Sequence, residues 1–149
     1  MRVARDTRVI LDTNVLLSGL LVSEGPPVKL IDAWEKNRFT LVACEELIAE
    51  FRAVAARPFF KARLKASAVE LLMSGLRDFS FFCDHLPFGP KAPDPKDSFL
   101  LALAEASEAD FLVTGDKELQ ALKRYKATRI VSPAAMVRLV AQASTKDAE

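Results

Sequence analysis

Short runs of consecutive apolar residues alternate along this chain with longer segments of helical periodicity, and this alternation constrains the fold more than any other feature. Strands that are apolar on both faces are typical of parallel sheets, because helices cover both faces of such sheets. The pattern therefore predicts an α/β fold, a three-layer α/β/α sandwich around a central, mainly parallel sheet of about five strands. The chain has 149 residues, so we expect a single domain over 1–149 that folds without disulfides or a structural metal.

The predicted strands and helices follow from the spacing of apolar residues. Strands are predicted at 8–11, 39–43, 79–83, 110–114 and 128–131. Helices are predicted from residue 13 to about residue 25, and at 28–36, 45–56, 59–76, 96–107, 117–124 and 133–143. Four prolines and a glycine in 87–95 predict a loop. The tail 144–149 is expected to fray.

Charge and cysteine content narrow the possible functions. The chain has 21 lysine and arginine residues against 20 acidic residues, so it lacks the basic excess typical of nucleic-acid-binding proteins. If metal occupied four of the acids, the remaining charge would be positive and would suit a phosphate-bearing substrate. Cys44 and Cys83 match no zinc-binding spacing and are predicted to be reduced thiols in the core.

The N-terminal stretch does not resemble a signal peptide, because Asp12, Asn14 and Ser18 interrupt its apolar region. No apolar run in the sequence approaches the length that spans a membrane. These two observations predict a cytoplasmic protein that has no membrane partner.

Asp12 directly follows the first apolar strand and opens the run Asp12-Thr13-Asn14. In open parallel sheets, ligands bind beyond the carboxyl ends of the strands, at the point where the strand order reverses. Each of the three residues is also a good helix N-cap, which is the competing structural interpretation. Because one residue satisfies that need, we expect Asp12 to be available for a functional site.

Two further aspartates are predicted near the same edge. Asp116 ends the stretch Thr114-Gly115-Asp116, where capping of the next helix and a functional role are equally compatible with the sequence. Asp97 lies in the first turn of a helix that Asp94 can cap, and its spacing directs it along the buried stripe of that helix. Stabilisation of the helix dipole is the alternative for Asp97, but the dipole does not require an inward direction.

Glu50 differs from the other acids of its helix in angular position. It lies roughly 90° from the centre of the apolar stripe, whereas Glu45 and Glu46 lie roughly 130° away. Glu50 is therefore placed at the edge of the stripe, where it is either a solvated flank residue or a member of the acidic site.

Carboxylates gathered at one sheet edge repel one another unless hard divalent cations lie between them. Mg²⁺ and Mn²⁺ fit this description, because they take oxygen ligands from a few carboxylates and from substrate phosphates. The chemistry that this pattern predicts is phosphodiester hydrolysis. The sequence contains no phosphate-binding loop, nucleophile elbow or zinc-protease motif, and His85, expected at a strand end, is its only histidine.

Four segments together resemble the PIN-domain nucleases, and within them the small bacterial and archaeal toxins of toxin–antitoxin pairs (VapC-like). The segment 9–16, VILDTNVL, is similar to the opening strand of that family and its first metal-binding aspartate, here Asp12. The segment 47–51 resembles the helix that carries the family's glutamate, here Glu50.

The other two segments lie in the second half of the chain. The segment 94–97, DPKD, resembles the third acidic motif of the family, with Asp97 as its principal acid. The stretch Thr114-Gly115-Asp116 resembles the last motif, in which the threonine orients the site and the aspartate completes it. Each segment alone is a weak signal, whereas the four together are specific.

The resemblance implies a PIN-like fold, Mg²⁺- or Mn²⁺-dependent RNA cleavage, frequent homodimerisation and a small antitoxin protein as partner. The implied catalytic and metal-binding residues are Asp12, Glu50, Asp97 and Asp116, with Asn14, Thr114 and Asp94 in supporting roles. Lys96 departs from the family pattern, which commonly has an acid there. The alternatives are a catalytically silent PIN-like module that binds RNA or protein, and an acidic-pocket phosphatase, although a second aspartate for its motif is absent after Thr13.

Overall fold

The computed structural model describes residues 2–87 and 98–148, and within them it confirms the alternation of strands and helices. The strands are β1 (Arg8–Leu11), β2 (Thr40–Cys44), β3 (Phe81–Cys83), β4 (Phe111–Val113), β5 (Arg124–Tyr125) and β6 (Thr128–Val131). The helices are α1 (Thr13–Leu21), α2 (Pro26–Glu35), α3 (Glu45–Ala55), α4 (Pro58–Lys61), α5 (Ala66–Asp78), α6 (Ser98–Ser107), α7 (Lys117–Ala121) and α8 (Pro133–Ala148). Most of the predicted loop at 87–95 and the first residues of the helix predicted at 96–107 lie outside the described residues.

The six strands form one sheet in the order β3-β2-β1-β4-β6-β5. All neighbouring pairs are parallel except β5 and β6, which form an antiparallel hairpin at the edge. The chain passes outward from β1 through β2 to β3 and then returns to the other side of β1 as β4. The strand order therefore reverses between β1 and β4, where Leu11 is paired with Val113.

The helices cover both faces of the sheet. Because βαβ crossovers are right-handed, the connections from β1 to β3 and the return to β4 lie on opposite faces. Accordingly α3 and α5 pack against β2, while α6 packs across β1 to β4. The central strands β1 and β4 are solvent-inaccessible from Val9 to Leu11 and from Phe111 to Val113, which is why their sequences are solid apolar runs.

The hairpin strand β5 is the element that the sequence pattern did not predict. The helix expected at 117–124 ends at Ala121, and Lys123 has a φ of 61°, which a right-handed helix cannot contain. Lys123, Arg124 and Lys126 therefore lie in a hairpin, where Lys126 forms an ion pair with Glu105.

Three other helix predictions also differ from the structure, and the first of them is α1, which ends at Leu21 and not near residue 25. The helix expected at 59–76 is two helices, α4 and α5, and neither glycine nor proline marks the break between them. The last helix continues to Ala148, beyond its expected end at residue 143. Among the described residues, no helix is both long and apolar enough to cross a membrane.

Candidate active site

Asp12 lies at the carboxyl end of β1, at the point where the strand order reverses. Its backbone N–H donates to the carbonyl oxygen of Val113 at 3.0 Å, so β1 and β4 are still paired there. Asp12 occupies the N-cap position of α1, but its side chain makes no capping hydrogen bond. The residue is only 6% exposed. Helix capping therefore does not account for a carboxylate at this buried position.

Thr114 connects Asp12 to the end of β4. Its Oγ1 donates to Asp12 Oδ2 at 2.8 Å and accepts the backbone N–H of Asp116 at 3.1 Å. The amide of Gln120 donates to the carbonyl oxygen of Thr114 at 2.6 Å. Thr114 is completely buried, so its hydrogen bond to Asp12 is protected from water. These contacts are what an orienting role for Thr114 requires.

Asp116 follows β4 and caps α7. Its Oδ1 accepts the backbone N–H groups of Glu118 at 2.8 Å and Leu119 at 3.3 Å. The capping interpretation of Asp116 is therefore correct, but both bonds use the same oxygen atom. In the described part of the chain Oδ2 accepts no hydrogen bond, and it is the atom through which Asp116 could bind a ligand.

Glu50 reaches this edge through Thr13, the first residue of α1. Thr13 Oγ1 donates to Glu50 Oε2 at 2.7 Å. Thr13 is only 2% exposed, whereas Glu50 is half-buried. Of the two interpretations of Glu50, the contact with α1 favours membership of the acidic site over a solvated flank. The sequence did not single out Thr13, because its partner is 37 residues away and no local pattern links them.

The electrostatics of Asp12 show that the described acids influence one another. Burial raises the pKa of its carboxyl above the ordinary value, and the hydrogen bond from Thr114 acts in the opposite direction. The carboxylates of Glu50 and Asp116 raise the pKa of Asp12 further, because like charges disfavour its ionisation. A cation near these groups would stabilise the ionised form, so the donor set fits a hard divalent metal.

The described acids do not by themselves enclose an ion. Within residues 2–87 and 98–148, no three histidine, cysteine, aspartate or glutamate side chains are close enough to hold a metal. Asp94 and Asp97, the candidates of the third acidic motif, lie outside the described residues. Their predicted roles, as the supporting and the principal acid of that motif, remain predictions.

Two other candidates make no hydrogen bond to the acids of this edge in the described part of the chain. Asn14 is exposed on the first turn of α1, and within the described residues it makes no hydrogen bond to Asp12, Glu50 or Asp116. Its supporting role remains a prediction. His85 is exposed just beyond β3, as expected for a residue near a strand end.

Comparison with known proteins agrees with the fold. A family model described as "PIN domain" matches residues 8–118, a span that begins at β1 and ends in α7. The chain is similar to PAE2754 from Pyrobaculum aerophilum, with 15% identity and a TM-score of 0.55 over 93% of this chain and 92% of that one. It is also similar to the PIN domain of human SMG5, with 9% identity and a TM-score of 0.50 over 88% and 96% of the two chains. A search of curated protein sequences found no match.

Proposed function

This chain belongs to the PIN-domain family, and from that premise we propose that it is a metal-dependent endoribonuclease that hydrolyses RNA phosphodiester bonds at the Asp12 edge of the sheet. PIN domains are usually nucleases that use divalent metal ions. The observation that carries the proposal is the buried Asp12 carboxylate, held by Thr114 and close enough to Glu50 and Asp116 for their charges to oppose its ionisation.

The residues that would hold Mg²⁺ or Mn²⁺ are Asp12, Glu50 and Asp116, with Asp97 as a fourth acid proposed from the sequence. The bound ion would supply an activated water for attack on phosphorus and stabilise the leaving oxygen. The chain itself orients the carboxylates. Thr114 positions Asp12, and the helix-capping bonds on Oδ1 of Asp116 leave its Oδ2 available.

We further propose that the protein is the toxin of a toxin–antitoxin pair, a cytoplasmic homodimer that a small antitoxin inhibits. The resemblance of the segments around Asp12, Glu50, Asp97 and Asp116 to such toxins supports this. Expression of the chain alone should then arrest growth, and co-expression of a small protein encoded directly upstream, with a DNA-binding pattern, should relieve the arrest. Unimpaired growth, with active nuclease present in the cells, would remove the toxin proposal and leave the nuclease proposal intact.

A catalytically silent module that binds RNA or protein is the second candidate. The free-energy cost of burying Asp12 beside other carboxylates argues against this candidate. A module that only binds does not require groups that repel one another.

The experiment that separates these candidates is a cleavage assay on mixed single-stranded RNA with Mg²⁺, with Mn²⁺ or with EDTA. The wild-type chain is compared with Asp12→Asn and with the control Asp32→Asn, which removes an exposed acid of α2. We expect cleavage that requires metal, that is lost in Asp12→Asn and that persists in the control. RNA binding without cleavage would favour the silent module, and hydrolysis of a small phosphomonoester alone would favour a phosphatase.

A further inference from the structure

One short helix, α4, lies in a segment that is rich in positive charge. The chain as a whole has a formal net charge of +1, yet residues 51–69 contain five lysine or arginine residues and no acid. Four of these five are exposed on or beside α4, and none of the four forms an ion pair with any described acid. Together with an exposed phenylalanine they form a surface that we call the α4 patch: Arg57, Phe59, Lys61, Arg63 and Lys65.

An aromatic ring lies at the centre of the α4 patch. Phe59 is 51% exposed, whereas its neighbour Phe60 packs against the core and meets the Phe59 ring edge to face at 5.1 Å. The Arg63 guanidinium carbon lies 3.9 Å from the centre of the Phe59 ring, and Arg63 Nη1 donates to the Phe59 carbonyl oxygen at 2.9 Å. The ring and the guanidinium therefore form a solvent-facing stack.

A single-stranded nucleic acid is the partner whose chemistry matches both parts of the α4 patch. Its phosphates bind exposed cations, and its unpaired bases stack on aromatic rings and guanidinium planes. In a duplex the base faces are already stacked on one another, so Phe59 would have no base to contact.

The α4 patch lies along α3 from the acidic edge. Glu50 lies on the second turn of α3, and Arg57 follows the end of α3 and directly precedes α4. At 1.5 Å per residue, α3 extends about 8 Å from Glu50 to its end at Ala55, so the α4 patch begins on the order of 10 Å from Glu50. A single strand with a rise of about 3.4 Å per nucleotide covers this distance in roughly three nucleotides.

The position of the cations also meets an electrostatic need. Without bound metal, Asp12, Glu50 and Asp116 repel phosphates, so RNA that binds the metal-free protein must gain its binding free energy from a neighbouring surface. We propose that the α4 patch holds single-stranded RNA a few nucleotides from the cleaved bond, with Arg57, Lys61 and Lys65 on phosphates and the Phe59–Arg63 stack against a base. This inference rests on the proposed ribonuclease function and adds to it the surface that binds the substrate.

The test measures binding of the full-length chain to a fluorescent single-stranded RNA by anisotropy, in EDTA so that metal-dependent cleavage does not interfere. In Arg57→Gln/Lys61→Gln, the slope of log affinity against log salt should decrease by about 1.4, since each lost phosphate contact on a single strand contributes about 0.7. Phe59→Ala should weaken binding about tenfold with an unchanged slope, because stacking is not ionic. The control Lys29→Gln/Arg138→Gln removes two exposed cations of α2 and α8 and should change neither quantity.

Unchanged binding in both patch variants would overturn the inference, as would equal weakening in the control. Loss of self-association in sedimentation experiments, with RNA binding retained, would show that Phe59 contacts a protein instead. The outcome is independent of catalysis. A chain that binds RNA through the α4 patch and does not cleave it with Mg²⁺ would contradict the proposed function alone, whereas cleavage with unchanged KM and RNA affinity in the patch variants would contradict this inference alone.

Discussion

A hydrogen bond of 2.8 Å joins Thr114 Oγ1, as donor, to Asp12 Oδ2 across the reversal point of the sheet. The two residues are 102 positions apart in sequence and follow β4 and β1, which pair directly. Because the same hydroxyl accepts the backbone N–H of Asp116, one side chain sets the positions of two acids. This dependence makes Thr114 the most informative residue to change outside the acids themselves.

Thr114→Val should remove both hydrogen bonds while keeping the shape of the side chain. We expect metal affinity or activity to fall by roughly 10- to 100-fold, the usual effect of losing a residue that orients a metal ligand. The free energy of unfolding should also fall by about 1–3 kcal/mol, because buried polar groups lose their partners. Cleavage rates and urea denaturation measure the two effects. Thr114→Ser keeps the hydroxyl and is the control; equal activity in the valine and serine variants would contradict the orienting role.

Asp12→Asn should abolish cleavage. In the absence of metal, the same substitution should also increase the stability of the folded protein. Burial and the neighbouring carboxylates raise the pKa of Asp12 in the folded chain. The stability that Asp12 contributes is therefore fully present below the pKa of the unfolded state and is lost as pH rises through the folded pKa. The asparagine side chain of the variant can still accept the Thr114 hydrogen bond and carries no charge, so the variant avoids this loss.

The measurement is the unfolding temperature of both proteins in EDTA between pH 4 and pH 7. The unfolding temperature of Asp12→Asn relative to the wild-type chain should increase with pH. The increase should be roughly 2–4 °C for each kcal/mol of destabilisation that the substitution removes. Asp32→Asn, at an exposed acid, should show no such trend. An advantage that is constant or that shrinks with pH would contradict the destabilising effect of ionised Asp12.

The effects of substituting Thr13 and Glu50 on catalysis should be coupled. Thr13→Val removes the donor that holds Glu50 Oε2, and Glu50→Gln removes the carboxylate that the hydroxyl holds. If Thr13 acts through Glu50, the loss of kcat/KM in the double variant should be close to that of Glu50→Gln alone. Additive losses would show that Thr13 acts independently. Glu46→Gln, an exposed neighbour on α3, serves as the control for charge.

Cys44 should be chemically inert in the folded protein. Burial raises the pKa of its thiol to about 12, so almost no thiolate is present at neutral pH. Cys83, its register partner on β3, is half-buried and should react first with a thiol-specific reagent. Labelling followed by mass spectrometry should detect Cys44 modification only after denaturation. Equal labelling rates for native and unfolded chains would contradict this prediction.

The sequence predicted the residues whose positions depend on local pattern. Asp12 follows a strand that is apolar on both faces, and this alone places it at the carboxyl edge of the sheet. The first motif could therefore be located without the structure. The sequence also allowed two roles for Asp116, because a residue between a strand and a helix can cap the helix and can also bind a ligand.

Other features depended on contacts that local pattern does not record. The Thr13–Glu50 hydrogen bond joins two helices, and the angular position of Glu50 left its direction undecided. The strand β5 has only two residues and no apolar run, so its formation depends on the turn at Lys123 and on pairing with β6. The exposure of Phe59 beside the basic residues around α4 also depends on tertiary packing, because its neighbour Phe60 is the ring that packs against the core.

The central claim, that the acids around Asp12 form a divalent metal site, is tested most directly by counting bound ions. Titration of the full-length chain with Mn²⁺, followed by electron paramagnetic resonance, measures free and bound metal without RNA. We predict that the wild-type chain binds Mn²⁺, that Asp12→Asn loses this binding and that Asp32→Asn retains it. Equal Mn²⁺ binding by the wild-type chain and Asp12→Asn, or no binding by either, would contradict the account.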